Sequence, residues 1–519
     1  MSGPPGRTSG GGGGACADAP RIGGRDPADA DLVALVCSDL GAIVRGRLVP
    51  AGDLDLHLGS GVGWVPANQA LTPLGPLAEP SPFDSTGDLR LLPDIATRAR
   101  VSSPWEVLGA GAGGHGDYSS EDGAGSGALD MVLCDIVEID GTPWECCPRR
   151  FLADAVAELA GGHGLRLFAS FEHEFQLLPG PGCPRSAHGG VGKLGEVDRH
   201  AEAQVPGGAG VGPGSGEPPP LPFSLKACRR AEPFPRLAMA ALRAAGVQPE
   251  RVFAEYAPRQ FEIPVSPAEG VAAADRSVVL TETVRGLAER CGRHATFTPL
   301  LDADHAGNGV HIHLSLVGLD GEPVLYDPDR PGRLSELGGR FAAGILLHAP
   351  ALIALTAPSP ISSHRLAPHR WSAGAVCLGL QNRETLLRLP PIVAFGGAEE
   401  AARQLRLEYR AADASANPYL ALGAILRAGM HGIEAGLPAP PPLDRDPATL
   451  DPVEAGRFGV GALPGSLEQA LRALAEDDVA KGWLSPLLYE AYLSVRQADQ
   501  RASAGWDIAE TLRRYAHVY

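Results

Sequence analysis

Short stretches in which apolar and polar residues alternate are the most informative feature of this sequence. In residues 167–177 (LFASFEHEFQL), Glu172 and Glu174 fall on one face, and two phenylalanines with His173 fall on the other. Side chains alternate between the two faces of a β-strand, so this pattern predicts a strand with one charged and one apolar face. We interpret His173, on the apolar face, as a buried core histidine rather than a ligand.

The two glutamates of this strand raise an electrostatic question. Their Cα atoms would lie about 6.6 Å apart at the usual rise of a strand. At an effective dielectric constant of about 20, two such charges separated by about 5 Å repel each other by roughly 3 kcal/mol. The charged face must therefore be open to water or hold a cation between the carboxylates, and this stretch alone leaves both interpretations open.

Three later stretches also place ionisable side chains on single faces. Residues 252–265 carry Glu255 and Glu262 on either side of a break at 257–258, which predicts a strand, a turn and a returning strand. The other two stretches are 309–316, with His311, His313 and Ser315 on one face, and 405–410, with Arg406, Glu408 and Arg410 on one face. A solvated polar face is the ordinary alternative for each stretch taken singly. Together, five glutamates and a histidine on such strands favour a ligand-holding sheet, and carboxylates with one imidazole suit Mg²⁺ or Mn²⁺.

The rest of the pattern predicts a mixed chain of strands and helices. Strand-like runs at 32–38 and 42–49 open a small β domain that ends near residue 140. Helical periodicity follows at 151–159, 236–245, 272–291, 467–476 and 507–515. Its alternation with strand-like runs favours an α/β or α+β catalytic domain, and the last two segments predict a helical cap at the C-terminus.

Glycine and proline cluster in a few segments. We expect residues 1–27 to be a disordered tail, and the Gly/Pro-rich segments 109–127 and 179–222 to be long surface insertions. Gly109, Gly111 and Gly114 satisfy G-x-G-x-x-G, but no amphipathic helix follows them. We therefore interpret these glycines as part of a flexible loop rather than as a phosphate cradle.

Charge and composition narrow the classes of function. The 519 residues include 44 Lys+Arg and 61 Asp+Glu, a net charge of −17, which argues against nucleic acid or an anionic membrane as a partner because either needs a basic face. No run of about 18 uncharged apolar residues and no apolar N-terminal segment is present, so we expect a cytoplasmic protein. The nine cysteines lack a repeated C-x-x-C spacing, which argues against a disulfide framework or a zinc ribbon.

An acidic chain that holds anions needs locally placed cations. Arg365, Arg383, Arg388 and Arg410 lie between or beside the alternating stretches. Guanidinium groups match carboxylate and phosphate oxygens in a bidentate way, so these arginines are candidates for binding an anionic ligand. Surface salt bridging is the alternative for each arginine taken alone.

Taken in order along the chain, these residues resemble the glutamine synthetase family. The resemblance covers roughly residues 32–437 and rests on six spaced motifs. They are E-x-E (172–174), E-Y-x-P-x-Q-x-E (255–262), G-N-G-V-H-I-H-L-S (307–315), R-L-x-P (365–368), N-R-x-x-x-x-R-x-P (382–390), and E-Y-R followed by N-P-Y-L (408–410 and 417–420). The resemblance implies an α+β fold with a small N-terminal β-grasp domain (28–140). A larger catalytic domain (141–519) would follow, with a curved antiparallel sheet flanked by helices and the insertion at 179–222.

The resemblance also implies a two-metal site, an ATP site and a glutamate site. Its metal ligands would be Glu174, Glu255 and Glu262 at one divalent cation, Mg²⁺ or Mn²⁺, and Glu172, His311 and Glu408 at the other. ATP would contact His313, Ser315, Arg383, Arg388 and Arg403, and glutamate would contact Gly307, His311, Arg365 and Arg410. The residues that the resemblance implies in catalysis are Glu255, Arg365, Arg383 and Arg410.

The implied activity is an ATP-dependent ligation. The γ-carboxylate of L-glutamate would be joined to an amine through γ-glutamyl phosphate, with release of ADP and phosphate. Metals and arginines would neutralise the mutual repulsion of the carboxylate and the triphosphate. The family further implies a ring-shaped homo-oligomer with active sites between neighbouring subunits.

Two departures from the family pattern bear on the amine. Ammonia-using members have an acidic residue in the N-terminal domain of the neighbouring subunit, and a glutamate six positions after the R-L-x-P arginine. Here the loop 69–77 has no acidic residue before Glu79, and residue 371 is Trp. We therefore favour a small amine or polyamine, as in the γ-glutamylpolyamine and γ-glutamylethanolamide branches. Ammonia as acceptor and a catalytically inactive structural or glutamate-binding protein are the alternatives. Residues 432–450 lack Tyr, so we expect no adenylylation switch.

Overall fold

The computed structural model describes residues 32–101, 129–180 and 221–519. The predicted N-terminal tail lies outside these ranges. So do most of both Gly/Pro-rich insertions and the glycines Gly109, Gly111 and Gly114.

The N-terminal part is a mixed β-sheet. Its strands are β1 (Leu32–Ser38), β2 (Val44–Pro50), β3 (Val62–Trp64), β4 (Leu89–Pro93), β5 (Ala99–Val101) and β6 (Leu129–Glu138). They are ordered β2-β1-β6-β4-β3, with β5 also paired to β6, and β1 and β6 are parallel neighbours in an otherwise antiparallel sheet. The second strand starts two residues later than predicted. Ala42 has a positive φ of 68°, and the Asp39 carboxylate accepts a hydrogen bond from the Ile43 N–H (2.8 Å), so both residues belong to the turn.

A second, larger sheet carries the alternating stretches. Its strands are β7 (Leu165–Pro179), β8 (Phe253–Ala254), β9 (Gln260–Ile263), β10 (Ala268–Glu269), β11 (Arg293–Thr296), β12 (Val310–Gly318), β13 (Ala375–Leu380), β14 (Thr385–Leu389) and β15 (Leu407–Tyr409). The order is β13-β14-β15-β12-β7-β9-β8, and β10 and β11 also pair with β7. Within the described residues, β13 and β14 run parallel, which is the exception to the predicted antiparallel sheet.

Burial along β7 alternates as the sequence predicts. Phe171, His173 and Phe175 are buried, whereas Glu172 and Glu174 are half-buried on the opposite face. The His173 Nε2 lies 2.8 Å from the Ser277 Oγ on a helix behind the sheet. The prediction of a core histidine is therefore confirmed, and burial lowers the pKa of His173 to about 3.

Helices cover the apolar face of the large sheet and fill the rest of the chain. They are α1 (Leu54–His57), α2 (Pro148–His163), α3 (Leu225–Arg230), α4 (Phe234–Ala244), α5 (Val271–Arg290), α6 (Glu336–Leu347), α7 (Ala349–Thr356), α8 (Ser362–Arg365), α9 (Gly397–Gln404), α10 (Pro418–Glu434), α11 (Pro452–Arg457), α12 (Leu467–Glu476), α13 (Asp478–Gly482), α14 (Pro486–Ser503) and α15 (Ile508–Tyr515). The predicted helical segments all coincide with helices, and the α+β class is confirmed. Across the described ranges no single helix has the length and apolarity to cross a membrane, although α6 and α7 together pass that test with a bend of 74° between them.

Candidate active site

The polar face of the large sheet borders a cavity of about 840 Å³. All fourteen residues that the sequence singled out as ligand contacts line it: Glu172, Glu174, Glu255, Glu262, Gly307, His311, His313, Ser315, Arg365, Arg383, Arg388, Arg403, Glu408 and Arg410. They come from separate strands, turns and a short helix. The fold therefore brings the residues of the alternating stretches into one cavity with Gly307 and the arginines, whose roles only the resemblance implied.

The strand register explains how the acidic side chains meet. Residues directly opposite each other on paired strands point to the same face of the sheet. His311 on β12 is opposite Glu172 on β7, and Glu174 on β7 is opposite Glu262 on β9. Glu408 on β15 is opposite His313 on one side and Arg388 on the other. These pairings place the ionisable groups in neighbouring rows above the same sheet.

Three of these side chains form a compact cluster. One ligand atom from each of Glu172, His311 and Glu408 lies within 4.8 Å of the others. The His311 Nδ1 is 3.4 Å from a Glu172 oxygen and 3.8 Å from a Glu408 oxygen. These three residues are the second metal-ligand set that the resemblance implies, so the geometry is compatible with one cation held between them.

Glu174, Glu255 and Glu262 line the same cavity without such a close triangle of ligand atoms among the described residues. Burial and the nearby Glu174 carboxylate raise the pKa of Glu255 to about 8. Burial and a hydrogen bond with Glu172 raise the pKa of Glu262 well above its usual value. Glu172 shows the opposite direction: burial opposes its ionisation, but hydrogen bonds with His311, His313 and Glu262 lower its pKa well below the usual value.

The upward shifts of Glu255 and Glu262 come first from burial and then from the neighbouring carboxylates. Carboxylates that face one another in a partly buried site retain protons unless a cation neutralises them. The donors are carboxylate oxygens and one imidazole nitrogen, a set that suits Mg²⁺ or Mn²⁺. The residues present therefore fit a divalent cation.

Arginines line the cavity directly beside the acidic cluster. Arg388 donates to one oxygen of Glu408 (2.7 Å) and Arg410 donates to the other. Burial opposes ionisation of Glu408, but Arg410, with the two histidines and Arg388, lowers its pKa to about 2. Arg365 is buried and donates to the backbone carbonyls of Ala411 and Ala412. The Arg388 Nε is buried without a hydrogen-bond partner in the described part of the chain, which suits an anionic ligand, whereas the Arg365 Nε lies 4.0 Å from the buried Asp413 carboxylate.

The loop before β12 requires a glycine at position 307. A Cβ there would lie 2.3 Å from the Pro299 carbonyl oxygen and 2.8 Å from the Arg365 Cγ, so any side chain would displace the backbone or the arginine. The Gly307 carbonyl accepts a hydrogen bond from the Gln260 Nε2 (2.9 Å). Gly307 therefore lets the backbone approach Arg365 closely at the edge of the cavity.

The residues predicted to bind ATP differ in how firmly they are held. His313 contacts Glu172 through Nε2 (3.1 Å) and accepts from the Arg406 Nε at its Nδ1 (3.2 Å). The Ser315 hydroxyl donates to the Leu405 carbonyl at 3.4 Å. Arg403 lies at the rim, where its side chain is 64% exposed and pairs with Glu399 at 3.6 Å. The assignment of these residues to a nucleotide stays a prediction.

Several cavity residues were not assigned a role from the sequence. Arg251 approaches Glu172 (4.0 Å), Arg406 contacts His313, and Arg370 donates to the carbonyls of Ala303 and His305. Arg406 shares a strand face with Glu408, and this pattern could have predicted from the sequence that Arg406 lines the cavity. Arg251 and Arg370 lie outside the alternating stretches, so the sequence offered no comparable signal for them.

Comparisons with known proteins agree with this geometry. Sequence profiles of the glutamine synthetase N-terminal domain and of the glutamine synthetase catalytic domain match residues 25–144 and 145–508. The γ-glutamylpolyamine synthetase of Streptomyces coelicolor is 32% identical over 485 residues, which cover 92% of this chain and 91% of that protein. The glutamine synthetase of Thermus thermophilus is 31% identical over 393 residues, covering 75% and 80%.

A crystal structure of a glutamine synthase homologue gives the structural counterpart. It superposes with a TM-score of 0.77 and 40% sequence identity, covering 94% of this chain and 98% of that chain. Both family profiles and the long matches at more than 30% identity show that this chain belongs to the glutamine synthetase family, whose members are ATP-dependent ligases that form C–N bonds.

Proposed function

We propose that this chain joins the γ-carboxylate of L-glutamate to an amine, with hydrolysis of ATP to ADP and phosphate and with γ-glutamyl phosphate as intermediate. The observation that carries the proposal is the single cavity that combines the Glu172–His311–Glu408 cluster with Arg365 and Arg410. Such a combination suits a reaction in which two anions must be held side by side.

Each half of the cavity has a distinct task in this proposal. Glu172, His311 and Glu408 hold one divalent cation, and Glu174, Glu255 and Glu262 hold a second. Bound Mg²⁺ or Mn²⁺ supplies charge neutralisation at phosphate oxygens. The arginines bind the remaining anionic oxygens: Arg383, Arg388 and Arg403, with His313 and Ser315, on the ATP side, and Arg365 and Arg410, with Gly307 and His311, on the glutamate side.

The reaction then proceeds in two displacements. An oxygen of the glutamate γ-carboxylate attacks the γ-phosphorus of ATP, and the bond to ADP breaks. The amine nitrogen next attacks the γ-carbon, the carbon–oxygen bond to phosphate breaks, and the nitrogen loses one proton as the amide forms. The chain's side chains contribute by holding both substrates in line and by neutralising their repulsion.

We favour an amine over ammonia as the acceptor. The S. coelicolor relative is a γ-glutamylpolyamine synthetase, and position 371, where ammonia-using members carry glutamate, is a tryptophan that lines the cavity. An aromatic ring offers apolar contact but no negative charge for ammonium. We also propose a ring-shaped homo-oligomer, which a native mass measurement by light scattering tests directly.

The decisive experiment measures phosphate release from ATP with purified protein. We expect release to require glutamate, Mg²⁺ or Mn²⁺ and an amine acceptor, with γ-glutamyl products identified by mass spectrometry. A panel that includes ammonium separates the amine ligase from a glutamine synthetase. Absence of glutamate-dependent turnover with every acceptor would support an inactive family member instead.

Glu255→Ala tests the site assignment in the same assay. Removal of this carboxylate should reduce turnover below about 1% of wild type while leaving the native mass unchanged, because the side chain lies at the cavity rather than in the apolar core. Glu322→Ala, at an exposed turn after β12, is the matched control. Full activity of Glu255→Ala would contradict the assignment.

A further inference from the structure

Four aromatic side chains form a continuous surface along one side of the cavity, which we call the aromatic wall: Phe253, Phe223, Tyr256 and Trp371. Successive ring centroids are 6.0, 5.1 and 5.1 Å apart. Phe223, Tyr256 and Trp371 nevertheless remain 54%, 40% and 56% exposed. The rings therefore pack against one another while presenting an apolar surface to the cavity.

Two of the four aromatic residues, one inside the wall and one at its end, have unfavourable backbone conformations. Phe223 and Trp371 have φ angles of 57° and 55°, a region that bulky residues rarely adopt. The Phe223 N–H donates to the Ala254 carbonyl (2.9 Å), and the Trp371 carbonyl accepts from the Arg410 Nη2 (3.0 Å). Strained residues that are fixed in this way occur most often at functional sites.

The aromatic wall lies beside the groups proposed to carry the chemistry. Tyr256 directly follows Glu255 in the turn between β8 and β9. At one end of the wall, the Trp371 backbone carbonyl accepts a hydrogen bond from Arg410. The neighbouring Ser372 hydroxyl donates to the Arg365 carbonyl (2.7 Å). A molecule on the wall would thus extend from the acidic cluster to the arginines of the glutamate side.

The charges around the wall indicate which part of an acceptor belongs where. Glu255 precedes Tyr256 in the middle of the wall, whereas Arg370 and Arg410 adjoin Trp371 at one end and the Arg251 guanidinium lies over the Phe253 ring (6.0 Å) at the other. Aromatic faces attract cations as well as apolar groups. The Arg370 guanidinium at the Trp371 end opposes a second ammonium group there, whereas the charge of Arg410 is balanced by Glu408, so apolar contact is the interaction that this end favours.

We propose that the aromatic wall is the acceptor subsite and that it selects a primary monoamine with an apolar or aromatic body. Ammonia is disfavoured because it is too small to contact the rings. Polyamines are disfavoured because their second cation would reach the arginines. This inference rests on the proposed ligase function and names its substrate class. Tyr256 and Trp371 are then the residues that set acceptor specificity.

The test compares four acceptors at saturating ATP, glutamate and Mg²⁺: phenethylamine, butylamine, 1,4-diaminobutane and ammonium. Butylamine and 1,4-diaminobutane have the same chain length and differ by one cation. We expect kcat/KM for phenethylamine and butylamine to exceed the values for the other two by at least about tenfold. A preference for 1,4-diaminobutane over butylamine, or for ammonium over both monoamines, would overturn the inference while leaving the ligase function in place. Wild-type protein that turns over none of the four would instead overturn the ligase function.

Variants of the aromatic wall supply the second half of the test. Trp371→Ala should lower the ratio of kcat/KM for phenethylamine to that for ammonium by about tenfold, mainly through KM, and Trp371→Phe should restore part of it. Phe223→Ala should shift the ratio in the same direction, and both variants retain the backbone carbonyl at position 371 that accepts from Arg410. Trp506→Ala, whose ring packs against Arg514 away from the cavity, is the control and should keep the wild-type ratio. An equal loss with all four acceptors in Trp371→Ala would assign the ring a structural role and refute the subsite.

Discussion

The buried side-chain amide of Gln260 links Glu174 to the loop that contains Gly307 and Asn308. Its Oε1 accepts from the Ala257 N–H (2.8 Å), and its Nε2 contacts the Gly307 carbonyl (2.9 Å), the Asn308 Oδ1 (3.0 Å) and Glu174 (3.3 Å). Gln260 is only 2% exposed, so water does not replace these partners. The amide therefore positions Glu174, a proposed cation ligand, and Gly307, a proposed substrate contact. Gln260 itself is not proposed to bind either the cation or the substrate.

Gln260→Glu should distinguish this hydrogen-bonding role from a role in which the side chain only fills space. The carboxylate keeps the shape but cannot donate to Gly307 or Asn308, and it adds a negative charge beside Glu174. We expect kcat/KM for glutamate to fall by about 10- to 100-fold, mostly through KM. Gln469→Glu, an exposed position where only the acceptor oxygen is used, should have no effect. An unchanged KM for glutamate in Gln260→Glu would contradict the role.

Glu174→Gln should raise the stability of the metal-free protein and reduce its stabilisation by metal. The Glu174 Oε2 accepts hydrogen bonds from the Gly309 N–H (2.8 Å) and from Gln260, and a glutamine oxygen can keep both. Loss of one charge relieves the repulsion that raises the pKa of Glu255, so the EDTA-treated variant should be about 1 kcal/mol more stable than wild type. The thermal stabilisation by Mn²⁺ should shrink. A less stable variant with an undiminished Mn²⁺ response would refute the proposed metal site.

For single residues, the sequence predicted on which face of a strand a side chain lies better than it predicted which residues that side chain contacts. Alternation placed Glu172 and Glu174 on a polar face because strand geometry is local. The pairing of Arg388 and Arg410 with Glu408 could not be read in the same way, because it depends on the register of β14, β15 and β12. Gln260 appeared in a motif, but its contacts with Gly307 and Asn308 require two loops that are distant in sequence.

At the scale of elements, the long strand β7 organises the large sheet. It pairs with β9, β10, β11 and β12, so it contacts each of the segments that carry Glu262 and His311. The alternating pattern predicted β7, β9 and β12, because one face of each strand is buried, whereas β10 and β11 lie outside the alternating stretches. The parallel arrangement of β13 and β14 escaped prediction, since a short connection normally indicates an antiparallel pair.

Helix α10 begins at an asparagine that also contacts the N-terminal sheet. The Asn417 Oδ1 accepts from the N–H groups of Tyr419 and Leu420 (3.0 and 3.2 Å), which caps the helix. Its Nδ2 donates to the carbonyls of Ser38 and Asp39 (3.3 and 2.9 Å) at the end of β1. One buried side chain thus serves both as a helix cap and as a contact between domains.

Asn417→Asp should be strongly destabilising although aspartate caps helices as well as asparagine does. The carboxylate keeps the cap and can accept from the Ser38 hydroxyl, which lies 3.1 Å from the Asn417 Nδ2, but it faces the Ser38 and Asp39 carbonyls without a donor, which should cost about 2 kcal/mol in apparent unfolding free energy by urea denaturation. Asp507→Asn makes the reverse exchange at the exposed cap of α15 and should change stability by less than about 0.5 kcal/mol. Equal effects of the two exchanges would show that the contact with β1 contributes nothing.

At the scale of the whole molecule, helix α14 connects the N-terminal sheet to the catalytic part. Arg496 is fully buried, and its Nη2 donates to the Leu40 carbonyl and to the Ser415 carbonyl, both at 3.0 Å. Nearby, the Asp499 carboxylate accepts from the Tyr515 hydroxyl on α15. The C-terminal helices therefore form part of the joint between the two domains, which their helical periodicity alone did not indicate.

Asp499 makes the stability of this joint depend on pH. Burial raises its pKa to about 6, although Tyr515 and Arg496 act in the opposite direction. The folded protein thus keeps a proton that the unfolded chain, with a pKa of about 3.9, releases. This group stabilises the fold fully below about pH 4, and its contribution of about 3 kcal/mol is lost as the pH rises through about 6.

Asp499→Asn cannot titrate but can still accept from Tyr515, so its stability relative to wild type should increase between pH 4 and pH 7.5. Asp88→Asn, at an exposed site, should show a flat difference over the same range in urea denaturation. A flat difference for Asp499→Asn, or one of opposite slope, would mean that Asp499 is ionised throughout and acts as a permanent partner of Arg496.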